Sequence, residues 1–198
     1  MTVCVFPIII ASAQGKEKPA KEAERQNAKA VDLHWRPMGV GKTTVCRQMQ
    51  ARLDHCVFLD GDWCWDAHPF INTPETRAMA VDNIRHLLNG FLGCTAYETV
   101  LFCWVFHQAD ILPAILSGLE GAYRLYTLSL VCPATTLAKR LRGDVEKGLR
   151  QPDVIERSLN RLPLFQDLGW PLLDTGGRTP GQAADAALAM LREAGARV

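Results

Sequence analysis

The sequence predicts an α/β protein: a parallel sheet covered by helices on both faces. Three observations carry that prediction. Short, continuously apolar runs, among them "TVLFCWV" at 99–105 and "YRLYTLSLVC" at 123–132, alternate with segments of helical periodicity. Strands buried on both faces read as such unbroken runs, because neither side of the pleat meets water. A glycine-rich turn, Gly39-Val40-Gly41-Lys42-Thr43-Thr44, opens the first amphipathic helix. An Asp-Gly-Asp run, Asp60 to Asp62, then closes the next apolar run. Ligands of open parallel sheets sit at that carboxyl end of the strands.

Each element has a local cause. Val45, Met49 and Leu53 recur every fourth residue after the glycine turn and form one helical stripe. "CVFLDGD" at 56–62 is a short strand that runs into acids. Thr73-Pro74-Glu75 starts a helix, with Thr73 as the cap and Pro74 in the first turn, where its missing N–H costs nothing. Ala80, Ile84, Leu87, Leu88 and Phe91 mark the inner face of that helix. "TVLFCWV" is a buried strand, and "ADILPAILSGL" after it reads as a helix interrupted at Pro113. "YRLYTLSLVC" is the longest strand candidate, and "TTLAKRLRGDVEKG" is a helix that stops at Gly148. Asp153 and Glu156 have the spacing of a capping box for "VIERSLNRL". "PLLDT" at 171–175 is a last short strand, and Thr179, Pro180 and Gln182 open a terminal helix.

Composition narrows the class. With 198 residues, 48% of them hydrophobic and 22% charged, the chain is long enough for one domain with a real core and resembles a soluble globular protein. A formal net charge of +1 gives no bulk attraction to nucleic acid or an anionic membrane, and no apolar run reaches the length of a membrane span. The seven cysteines are scattered without zinc spacing, which suits reduced thiols in a cytoplasmic protein. "VCVFPIIIASA" near the start has the texture of an export leader, but no basic residue precedes it, so a cytoplasmic location is expected. Residues 14–30 are rich in Lys, Glu and Ala with no apolar stripe. Residues 1–30 are therefore expected to be a poorly ordered extension, and 31–198 the folded domain.

The glycine turn is the strongest chemical signal. Its glycines let successive backbone N–H groups turn inward on a phosphate chain, and the helix behind it adds the positive end of its dipole. In this reading the backbone of Gly39, Val40, Gly41 and Thr44 surrounds the phosphates of ATP, Lys42 reaches the outer ones, and the Thr43 hydroxyl ligates Mg2+. The full phosphate-loop pattern expects glycine at position 36, where the chain has Arg36, and "AVDLHWR" ahead of it is a poor buried strand. That departure opens an alternative, a nucleotide-binding protein with impaired or no transfer activity. Asp60 and Asp62 are candidate catalytic acids: Asp62, or else Asp60, could accept the proton of an attacking hydroxyl, and Asp60 could hold the metal through water. Trp63, Trp65 and His68 follow directly and are candidate substrate contacts, as is His107 after the next strand. That strand ends without an acid, which disfavours a motor-type ATPase.

The run Gly39-Val40-Gly41-Lys42-Thr43, the "FLDGD" segment and a late arginine-bearing stretch together resemble the P-loop small-molecule kinases. Adenylylsulfate kinase shares the Leu-Asp-Gly-Asp run; gluconate kinase, shikimate kinase, chloramphenicol phosphotransferase and the zeta toxins belong to the same group. "VFLDGDWCWD" with "HPF" is similar to bacterial proteins described as AAA-family ATPases or nucleotide kinases. The resemblance covers about residues 37 to 190. It implies a P-loop three-layer α/β/α fold with a five-stranded parallel sheet and a helical lid. It also implies transfer of phosphate from Mg-ATP to a small-molecule or nucleotide acceptor. Kinases of this group carry lid arginines that neutralise the transferring phosphoryl group. Arg150 and Arg157 are the favoured candidates here, with Arg140 and Arg142 as further nucleotide contacts. The bland reading of the same stretch is a solvated basic helix paired with Glu146 and Glu156.

Overall fold

The structure, a computed structural model, describes residues 39–104, 111–160 and 171–198. Four strands are found there: β1 (Cys56–Asp60), β2 (Thr99–Cys103), β3 (Ser129–Val131) and β4 (Leu172–Asp174). Six α-helices surround them: α1 (Lys42–Gln50), α2 (Pro74–Gly93), α3 (Ile111–Ser117), α4 (Ala134–Glu146), α5 (Asp153–Asn160) and α6 (Pro180–Glu193). A 3-10 turn, Gly61–Cys64, follows β1. All pairing is parallel. Phe58 lies opposite Leu101 in the β1–β2 pair, and Leu130 opposite Leu173 in the β3–β4 pair.

The α/β class is therefore as expected, while the five-stranded sheet that the resemblance implies is not found among the described residues. Among the described residues the strands form two separate pairs. The strand expected just ahead of the glycine turn lies outside the described residues. "YRLYTLSLVC" is also shorter as a strand than its apolar run, because β4 offers only three residues of ladder and residues 123–127 have no partner strand among the described residues.

Along β1 and β2 successive buried side chains point alternately into two different cores, with helices on both faces. Phe58, Leu101 and Cys103 point into one core with Met49 of α1, Leu137 and Leu141 of α4 and Leu188 of α6. Leu59, Val100 and Phe102 point the other way, into a core with Ile84 and Leu88 of α2 and Ile115 of α3. Each large side chain buried this way contributes about 1.5–3 kcal/mol, so these two cores hold the layers together. Alanines at 183, 184 and 187 are fully buried where α6 meets α1, and their small size lets the two helices approach closely. The Arg52–Asp185 ion pair across that contact (2.7 Å) is exposed and adds about 0–1 kcal/mol at most.

The helix starts at Thr73 and Thr179 are as expected: each hydroxyl accepts from the backbone N–H three residues on, with Pro in the first turn. Two local expectations are corrected. Pro113 falls in the first turn of α3, where its missing N–H is not needed, so it does not break the helix. Asp153 is the first residue of α5, and its carboxylate pairs with Arg157 (2.9 Å) one turn on. No helix among the described residues is long and apolar enough to cross a membrane.

Candidate active site

The glycine turn has the backbone that a phosphate grip requires. Gly39 and Gly41 have φ of 95° and 101°, the left-handed region that side-chain-bearing residues avoid. Position 39 is doubly restricted, since a Cβ there would run into the Leu141 side chain. Lys42 is the first residue of α1 and is buried. The first N–H groups of α1 and its dipole face the same opening.

Asp60 ends β1 and is only 5% exposed, with both carboxylate oxygens engaged. The Thr43 hydroxyl donates to Oδ2 (2.6 Å), and the Asp62 backbone N–H donates to Oδ1 (3.1 Å), which caps the 3-10 turn. Asp62 is exposed and faces the cleft beside the glycine turn. Its pKa is raised above the ordinary carboxylate value, first by partial loss of water and further by nearby Asp60. Lys42, a hydrogen bond from Trp104 and Arg150 pull it back down without reversing the direction. The two acids thus differ in surroundings. Asp60 is a fixed partner of Thr43, and Asp62 is a carboxylate whose proton affinity has been lifted.

Trp104, directly after β2, was not a candidate from sequence. Its indole lies against Gly61, where any Cβ would collide with the ring, and it hydrogen-bonds Asp62. No local pattern marks it, because the contact joins two strand ends 42 residues apart (104 against 62). Trp104→Phe keeps the ring against Gly61 and removes the N–H. Steady-state kinetics are expected to show kcat down about tenfold, the value of one hydrogen bond to a charged group, with KM for ATP little changed. The acidic limb of the pH profile should move up, since that bond favours the charged carboxylate.

The cleft has a volume of about 810 Å3 and is lined by Gly39 through Val45, Asp62, the inner face of α4 and the turn between β4 and α6. Of the arginines singled out from sequence, two reach it. Arg140 donates to the carbonyl of Val40 (2.9 Å) and to the carbonyl and hydroxyl of Thr175 (2.8 and 3.2 Å), tying the glycine turn to the turn after β4. Arg150 lines the cleft while its Nε donates to Asp144 (3.0 Å). Arg142 is exposed and does not line the cleft; Arg157 does not line it either and pairs with Asp153. The acids that pair with these arginines are Asp144 and Asp153, where the basic-helix reading expected Glu146 and Glu156. Lys139, Lys147 and Arg178 also line the cleft and were missed. The signal for the lysines was helical spacing: Thr136, Lys139, Arg140, Gly143 and Lys147 share one face of α4 and its end.

Trp63 and Trp65 line a smaller pocket of about 330 Å3 on the other side of the 3-10 turn. Trp63 meets Phe58 edge-on (5.2 Å), and Trp65 lies against Phe70 (4.7 Å). His68 is exposed and lines neither cavity, and His107 lies outside the described residues.

A divalent cation fits the donor set. Among the described residues no group of three or more His, Cys, Asp or Glu could cage a metal. Magnesium commonly uses one or two carboxylates and completes its shell with water and substrate phosphates. Thr43, which lines the cation-lined cleft, and Asp60, buried behind it and bonded to its hydroxyl, match that habit.

The sequence profile of the AAA domain family matches residues 37–158, which takes in the glycine turn, the Asp-Gly-Asp run and most of α5. The chain belongs to the AAA domain family. Solved structures place this AAA domain among kinase folds. A sugar kinase from Janibacter sp. HTCC2649 superposes with a TM-score of 0.56 at 14% identity, over 81% of this chain and 92% of that one. A gluconokinase from Sinorhizobium meliloti 1021 gives 0.56 at 15%, over 82% and 91%. The tunicamycin resistance protein of Deinococcus radiodurans gives 0.53 at 21%, over 81% and 95%. These identities establish a shared fold. No curated protein matches the chain.

Proposed function

We propose that this AAA domain is a kinase that moves the γ-phosphoryl group of Mg-ATP to a hydroxyl of a small molecule. The observation that carries this reading is the cluster at the end of β1: Thr43 bonded to Asp60, with Lys42 and Asp62 facing the same cleft. Kinase folds among the structural neighbours support it. Thr43 and Asp60 would hold magnesium, which draws charge from the phosphates. The N–H groups of the glycine turn and Lys42 bind the phosphate chain. Asp62 takes the acceptor's hydroxyl proton as the new O–P bond forms and the bond from the γ-phosphorus to the bridging oxygen breaks, releasing ADP. Arg150 lies where it can offset charge on the transferring group, and Arg140 holds the loop in shape.

Calorimetry of ATP binding with and without magnesium, beside label transfer from γ-labelled ATP, tests this. Magnesium-dependent binding with transfer to an added hydroxyl compound is expected. Binding without transfer to any acceptor would sink the kinase reading and leave a nucleotide-binding protein. Running Arg36→Gly in parallel shows whether the departure from the glycine pattern weakens the grip; a variant that binds no better than the parent chain means Arg36 is tolerated.

A further inference from the structure

The 3-10 turn Gly61–Cys64 carries Asp62, and each of its residues is held by a different part of the chain. Gly61 lies against the Trp104 ring just after β2. The Asp62 N–H donates to Asp60 at the end of β1 (3.1 Å). The Cys64 carbonyl accepts from the side-chain amide of Asn83 on α2 (3.1 Å). Trp63 is held from α1. Its ring stands edge-on to Phe58 (5.2 Å), and the Arg47 guanidinium lies over both rings, 4.9 Å from the centre of Trp63 and 5.4 Å from that of Phe58. Arg47 is exposed, sits in the last turn of α1 and has no ion-pair partner among the described residues. Its charge is directed at the two ring faces instead. A basic residue in the last turn of a helix also complements the helix dipole, which is the plain reading of Arg47. The dipole alone asks for no ring beneath the cation, and here one of the two rings adjoins Asp62 in the chain.

We infer that Arg47 is a positioning residue for phosphoryl transfer, fixing the turn that carries Asp62 to the helix that begins with Lys42. The inference rests on the kinase reading for what Lys42 and Asp62 do. Lys42 opens α1 and Arg47 lies in the last turn of the same helix. One rigid element therefore holds the phosphate grip at its start and, through Trp63, the base near its end. Transfer between the two sides tolerates little error, since a misplacement of about 1 Å costs roughly 100-fold. Arg47 does not line the cleft, and it is not among the charges that shift the Asp62 carboxyl. It acts through Trp63 and not by its own field.

The test compares the full parent chain with Arg47→Met, Arg47→Lys, Trp63→Leu and the Arg47→Met/Trp63→Leu double variant. Label transfer from γ-labelled ATP, ATP calorimetry and amide exchange followed by NMR are measured on each. A cation–π contact at an exposed site is worth about two- to fivefold, so kcat is expected to fall about fivefold in Arg47→Met, with ATP affinity within about twofold of the parent. Arg47→Lys should recover most of the loss, because an ammonium can still sit over the rings. The double variant should be no slower than the worse single variant, because both break one contact. The acidic limb of the pH profile should stay in place. Unchanged kcat, an equal loss of ATP affinity, additive losses or a shifted acidic limb overturns the inference. A readout free of activity stands beside these. The Asp62 N–H bonds Asp60, and the Trp65 N–H bonds the Asp62 carbonyl (3.3 Å), so both amides report opening of the turn. In Arg47→Met they should exchange about fivefold faster than in the parent, and unchanged exchange overturns the inference. A parent chain that binds ATP and transfers to no acceptor counts against the kinase reading, and amide exchange then decides by itself whether Arg47 holds the turn.

Discussion

Asp62→Asn is expected to abolish phosphoryl transfer while leaving Mg-ATP binding almost unchanged. The amide has the size of the carboxylate and cannot take a proton, and the turn that carries it is held by Asp60 and by Gly61 against Trp104 rather than by the Asp62 side chain. A positioned general base contributes about 100- to 10,000-fold, so kcat should fall within that range. Label transfer beside calorimetry is the measurement. Transfer that survives would move the base elsewhere, and lost ATP binding would show that Asp62 holds the nucleotide. The raised pKa adds a test with a definite sign. In the folded chain Asp62 keeps its proton to higher pH than in the unfolded chain. Its contribution to stability is therefore present at low pH and is lost as pH rises through the folded pKa. Without magnesium, Asp62→Asn should melt higher than the parent chain at neutral pH, and the difference should vanish below the ordinary carboxylate value of 3.8.

Lys42→Met should have the second large effect. Methionine fills the space of the buried lysine stem and removes only the charge. Losing one charged contact to phosphate costs about 1.5–3 kcal/mol, so ATP affinity should drop roughly tenfold to a hundredfold, and transfer should drop further. Asp62 also loses the cation that most strongly lowers its pKa. Any residual activity should therefore show its acidic limb shifted to higher pH. A variant with unaltered ATP affinity would mean that Lys42 serves the fold and not the phosphates.

The glycine turn and its left-handed backbone were legible in the sequence because they are local. Two glycines, a lysine and a threonine close together along the chain make much of the candidate site, and the φ values at Gly39 and Gly41 are a property of those residues. The helix starts at Thr73 and Thr179 were legible for the same reason, since a cap reaches only three residues. The roles of the two acids were not. Sequence ranked Asp62 ahead of Asp60 as the base without a structural reason, and Thr43, 17 positions before Asp60, together with Trp104 just after β2, sets the two apart. The arginines show the same limit. Arg140 and Arg142 are two apart, yet only Arg140 faces the glycine turn, because neighbours at that spacing lie on different sides of a helix.

By itself the sequence determined the α/β class, the glycine turn and the strand end where the acids gather, because apolar periodicity and backbone preference act over a few residues. Only the tertiary structure decided which acid bonds Thr43, which cations line the cleft at the glycine turn, and that the aromatic pocket carries an acid and no base among the described residues. Those are matters of charge and burial between chain segments far apart in sequence, and no local pattern encodes which of them will meet.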